Sequence, residues 1–191
     1  MNKGFIFSGD SFVWGEGLEL FSNLLSTKNR INKINFLKKE YKKVNIEVID
    51  LTKELQKESK VLLFGGGSDE VKKLEAIASK YANVFCVAGK FSLEQELDII
   101  SNLKVMLSMD SSNGHMAAML GVKVVTLWGV THPNAGFAPF NQLEANNLLS
   151  DQEKFSKIPT SIYGNSYPEG YEFAMQTITV ESIVKTVQDN L

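Results

Sequence analysis

Six residues near the middle of the chain, Asp110-Ser111-Ser112-Asn113-Gly114-His115, bring together a carboxylate, small polar side chains and an imidazole. They stand where an apolar run, "VMLSMD", gives way to a segment rich in Ala and Met. A buried strand ending at Asp110, a turn of small residues and then a helix would aim backbone N–H groups and the positive end of a helix dipole at one spot. Such a spot binds anions. The small side chains let a diphosphate approach the backbone closely. His115, in the first turn of that helix, can donate to a phosphate oxygen. Each piece alone has a plainer explanation: a helix start, a structural histidine, a capping aspartate. The combination is more specific than its parts. A second apolar run, "VKVVTLWG", ends at Trp128–Gly129 and puts Thr131 and His132 over the same edge.

A different chemistry is suggested near the start, where "FSGDSFVWGEG" spans Phe7 to Gly17. "GDS" after an apolar strand resembles the first block of the SGNH (GDSL-type) hydrolases, with Ser11 as nucleophile of a serine esterase. That chemistry needs a His to take the serine proton and an Asp to orient the His. In that family the pair comes as Asp–x–x–His, and a Gly–x–Asn–Asp block completes the oxyanion hole. Three residues before His115 stands Ser112, and three before His132 stands Gly129; no Gly–x–Asn–Asp occurs. Ser11 would have to recruit His115 from a neighbouring strand. The structural reading is a first strand and tight turn, with Gly9, Gly15 and Gly17 at the cleft edge.

The elements that must position these residues repeat along the chain. Apolar runs "GFIFSG", "VNIEVIDL", "KVLLFGGG", "NVFCVAG", "KVMLSMD" and "VKVVTLWG" are separated by amphipathic stretches. Short β-branched runs bounded by Gly, Asn or Asp read as strands buried on both faces. Val71, Leu74, Ile77 and Ala78, and Leu93, Leu97 and Ile100, carry helical spacing. Ser68 and Ser92 read as N-caps, Ser92 with Gln95 three residues on. Such alternation predicts an α/β fold, a Rossmann-like doubly wound parallel sheet. Ligands of such sheets bind outside the carboxyl ends of the strands. Beyond Trp128 come a Gly/Pro/aromatic loop, a polar stretch to about residue 178, and a terminal helix capped by Thr179.

Composition narrows the classes. A chain of 191 residues with 43% hydrophobic and 22% charged residues has the balance of one globular domain. A net charge of −2 argues against nucleic acid as a partner, and "KKEYKK" (Lys38 to Lys43) reads as a solvated helix face. The lone Cys86 lies in an apolar strand, so a reducing, cytoplasmic location is expected. Neither a membrane span nor a signal peptide is apparent.

From about Val61 to the C-terminus the chain resembles the C-terminal half of glycosyltransferase family 9, the ADP-heptose:lipopolysaccharide heptosyltransferase family. The marks are "LLFGGGSDE", the run "VAGKFSLEQELDIISNLKVMLSMDSSNGHMAAMLGVKVVTLWGVTHP" and the tail "YGNSYPEGYEFAMQTITVESIV". Asp110-Ser111-x-x-x-His115-x-Ala117-Ala118-x-x-Gly121 matches the family signature. The resemblance implies one half of a GT-B architecture: a single domain over 1–191, with residues 1–60 a divergent strand–helix segment and 61–191 the donor-binding region. It implies that Asp110, Ser111, Ser112, Asn113, Gly114 and His115 line the diphosphate and sugar of a nucleotide-diphosphate sugar donor, ADP-heptose-like. Phe91 would lie near the base. Gly66 and Gly67 would approach the ribose, with Glu70 accepting its hydroxyls. Metal and cofactor are not expected, because the helix N-terminus can stabilise the leaving diphosphate. The acceptor is expected to be lipopolysaccharide or another surface glycan, with peripheral membrane contact through it. The family's acidic base belongs to an acceptor domain for which the chain has no room, so no catalytic residue is assigned. A nucleotide-sugar binding module without turnover is the alternative.

Overall fold

The alternation of apolar runs and amphipathic stretches builds one parallel sheet. The structure is a computed structural model, and it describes residues 4–8, 50–161 and 164–191. Its strands are β1 (Gly4–Ser8), β2 (Lys60–Phe64), β3 (Val84–Cys86), β4 (Val105–Met109), β5 (Lys123–Trp128) and β6 (Asn147–Leu149). Among the described residues the α-helices α1 (Ser68–Ala78), α2 (Leu93–Ser101), α3 (Ser112–Met119) and α4 (Val180–Asp189) accompany them, together with a helical turn over residues 50–55. The strand order is β3-β2-β1-β4-β5-β6, and every neighbouring pair is parallel. This is the Rossmann-like doubly wound sheet expected from the sequence.

Period-two alternation sends the strand side chains to two cores. Val61 and Leu63 of β2, Val105 and Leu107 of β4, and Val125 and Leu127 of β5 face one cluster, which Leu74 and Ile77 of α1 and Ile183 and Val187 of α4 complete. Met106 and Val124 face the other, with Ile100 of α2 and Ala117 and Ala118 of α3. Both faces of the sheet are therefore covered. Each fully buried Val, Leu, Ile or Met among them contributes on the order of 1.5–3 kcal/mol, the alanines less.

Three local expectations are corrected. The run "VNIEVIDL" was expected as a strand; residues 50–55 are helical, and residues 44–49 lie outside the described residues. Leu51 and Leu55, four apart and both buried in the first cluster, form the apolar face of that helical turn. Ser68 is the first residue of α1, and the N-cap position belongs to Gly67 at φ 82°. Strand β4 ends at Met109, one residue before Asp110. By contrast, Ser92 and Gln95 form the expected capping box at α2, and the Thr179 side chain accepts the Ser182 N–H at α4.

Candidate functional site

The strand order reverses between β1 and β4, which is where doubly wound sheets open a crevice for ligands. Register sets the carboxyl ends level: Ser8 pairs with Phe64 of β2 on one side and Ser108 of β4 on the other. The loops after β2 and β4 therefore flank the end of β1. The Phe91 loop follows β3, one strand further out, and the Thr131–His132 loop follows β5 on the opposite side.

After β4 the chain passes through Asp110 and Ser111 into α3. Ser111 is the N-cap, in extended geometry, and its side chain makes no capping bond. The first turn of α3 holds no acidic residue, whereas α1 begins with Asp69 and Glu70, α2 with Glu94 and Glu96, and α4 with Glu181. Of these four helices α3 alone has no carboxylate within its first turn, which suits an incoming anion. Gly114 lets the helix sit tightly on the sheet, since a Cβ there would lie 2.5 Å from Ser108 Oγ. Among the described residues, the buried Oγ atoms of Ser108 and Ser112 have no hydrogen-bond partner.

Asp110 and His115 bracket this turn. Burial pushes the Asp110 carboxyl above the ordinary aspartate range, and the charge of His115 pulls it back in smaller measure. The two groups thus sense one another across the helix start. Asn113 and Gly114 are buried, while His115 is half-buried.

The loop after β2, Gly65–Gly67, is folded onto α1. Gly66 N–H donates to Glu70 Oε2 at 2.7 Å, and Glu70 is only 7% exposed. A Cβ on Gly65 would meet Glu70 Cδ at 2.7 Å, and Gly67 holds a positive φ that favours glycine. Glu70 is thus turned onto its own loop. Phe91 is 43% exposed, beside the Ser92 cap.

The loop after β5 is tied from behind by the polar stretch that follows. Ser150 Oγ donates to Gly129 O at 2.6 Å and Thr160 N–H to Val130 O at 3.1 Å. His132 caps the 3₁₀ turn Pro133–Ala135, its Nδ1 accepting from Asn134 N–H at 3.1 Å. Sequence reasoning placed His132 at this edge without recognising the cap; the signal was Pro133, the residue favoured at a first helical position. Ser11 and its neighbouring glycines lie outside the described residues. Among the described residues no group of three or more His, Cys, Asp or Glu could hold a metal ion, and no helix is long and apolar enough to cross a membrane.

The family model described as glycosyltransferase family 9 (heptosyltransferase) matches residues 36–165. The chain belongs to glycosyltransferase family 9. The matched span of this family 9 chain begins before Val61 and stops short of α4. It takes in the whole Asp110–His115 turn and the loops after β2, β3 and β5. No curated protein matches the sequence. Solved structures share its fold. E. coli heptosyltransferase WaaC with ADP aligns at TM-score 0.58 and 19% identity over 77% of this chain and 39% of its own. E. coli ADP-heptose lps heptosyltransferase II aligns at 0.61 and 16% identity, over 99% of this chain and 46% of its own. A glycosyl transferase family 9 structure from Veillonella parvula DSM 2008 aligns at 0.63 and 13% identity, over 100% and 46%. The family 9 chain therefore spans less than half the length of these relatives.

Proposed function

We propose that this chain binds a nucleotide-diphosphate sugar of the ADP-heptose type and serves its transfer to lipopolysaccharide or another surface glycan. One observation carries the reading: the family 9 match contains the turn that sits at the reversal of strand order, where α3 presents an N-terminus with no carboxylate in its first turn. The α3 backbone and His115 hold the diphosphate, with Ser111, Ser112, Asn113 and Gly114 small enough to admit it. Asp110, with its raised pKa, meets the sugar. The Gly66–Gly67 turn, shaped by Glu70, lies under the ribose, and Phe91 packs on the base. That WaaC has been solved with ADP supports adenine as the base. The reaction is placed in the cytoplasm, with membrane contact through the acceptor; the slight negative charge and buried Cys86 fit that setting.

Isothermal titration with ADP tests the reading. Binding is expected, and His115→Ala should weaken it by roughly tenfold or more, as loss of a charge-assisted hydrogen bond does. Undiminished ADP affinity in His115→Ala would remove His115 from the phosphate site. Binding without donor turnover or transfer would favour the non-catalytic module.

A further inference from the structure

We infer that His132 is a second imidazole contact to the diphosphate, presented from the β5 loop opposite His115; this rests on the donor site proposed above. Three observations lead there. First, β4 and β5 are parallel neighbours in register, Met109 pairing with Leu127, so the loops that follow them emerge side by side on the ligand edge. Second, a backbone contact selects one tautomer of the ring. Its Nδ1 accepts the Asn134 N–H at 3.1 Å, so the proton of the neutral ring resides on Nε2. Nε2 is thereby a fixed donor at the far end of the ring from the backbone it caps. Third, the loop is tied to the body of the fold: Ser150 and Thr160 hold Gly129 O and Val130 O, and Gly164 packs closely on Thr131. A donor anchored in this way loses little freedom on binding.

Charge balance gives the contact its purpose. In the described loops after β2, β4 and β5 there is no Lys or Arg, and the Lys90 ammonium after β3 is engaged by Glu75 at 3.4 Å. A diphosphate arriving over Asp110 meets the α3 N-terminus, His115 and the Nε2–H of His132 as the donors on that part of the edge.

The decisive measurement is titration of ADP and AMP into the wild-type protein, His132→Ala and His132→Asn, with the melting temperature of each. Asn keeps a side-chain oxygen suited to the cap but removes the ring donor. The expected result is about tenfold weaker ADP binding in both variants, little change for AMP, which lacks the second phosphate, and a wild-type melting temperature for His132→Asn. Full recovery of ADP affinity in His132→Asn would reduce His132 to a turn cap and overturn the inference. So would equal losses for ADP and AMP, or wild-type ADP affinity in His132→Ala. Failure of the wild-type protein to bind ADP at all would instead overturn the donor site itself.

Discussion

Gly114 of α3 rests on Ser108 of β4 so closely that a Cβ at position 114 would stand 2.5 Å from Ser108 Oγ. The neighbouring atom belongs to a short side chain rooted in a central strand, so it has little room to yield. Gly114→Ala should cost about 1–3 kcal/mol through overpacking. Better helix propensity offsets at most about 1 kcal/mol of this. The melting temperature should fall by a few degrees, and ADP affinity should fall with it as α3 lifts from the sheet.

The same contact predicts its own rescue. Ser108 is 2% exposed, and its hydroxyl has no partner among the described residues. Ser108→Ala should therefore be neutral or stabilising, because an unsatisfied buried polar group is removed. Combined with Gly114→Ala, it should recover most of the lost stability, leaving the hypothetical Cβ an ordinary 3.6 Å from Ser108 Cβ. A double-mutant cycle from thermal melts gives the coupling; additive effects would show that the two residues do not press on one another.

Glu70 organises the triglycine turn through a bond from Gly66 N–H. Glu70→Ala should destabilise by about 1–3 kcal/mol, because the amide loses its acceptor. Glu70→Gln, which retains a carbonyl oxygen, should lose much less. Chemical denaturation of both variants checks the ordering, and equal losses would place the stabilisation in the negative charge.

Asp110 makes stability depend on pH in a definite direction. Its folded-state pKa is raised, by burial first and against a smaller opposing effect of His115. A carboxyl so shifted holds its proton more tightly folded than unfolded. Its contribution to stability is thus fully present below the ordinary aspartate pKa and is lost as pH rises through the folded-state value. Asp110→Asn should raise the melting temperature at neutral pH, and the gain should shrink on acidification through the aspartate range. A gain that grew toward low pH would contradict this assignment.

Cys86 should be inert in the folded protein. It is buried on β3, and burial pushes its thiol above the usual range. A disulfide reagent at neutral pH should label it slowly in the native state and at once in denaturant. Rapid native labelling would mean that β3 opens locally.

Strands β2 to β5 could be read from the sequence because each is a run of apolar residues long enough to stand out, bounded by Gly, Asn or Asp. Ser92 and Thr179 announced α2 and α4 because capping is local chemistry. The missed elements depend on partners far along the chain. Strand β6 has only Asn147, Leu148 and Leu149, and its hold on β5 includes Trp128 Nε1 donating to Asn147 Oδ1 at 2.8 Å. Residues 50–51 read as the end of a β-branched strand run, until Leu51 and Leu55 meet the first core as one helical face. The Asp110–His115 turn is legible as a local pattern of small residues and a histidine. That Glu70 folds back on Gly66 is not, because it depends on how a loop closes over a helix.

The position of β1 governs how the chain can be cut and joined. It precedes the other described strands in the chain and lies in the middle of the sheet, bridging β2 and β4. Without it, a β3-β2 pair and a β4-β5-β6 trio would each expose an interior edge. A fragment beginning at Asp50, which keeps Leu51 and Leu55 of the first core, should therefore be an acceptor for a missing strand, and a separate peptide carrying Gly4–Ser8 should restore it by complementation. In the intact chain the same geometry makes sheet closure a long-range event, since β1 must await β4 about a hundred residues later, a topology that folds slowly for its size.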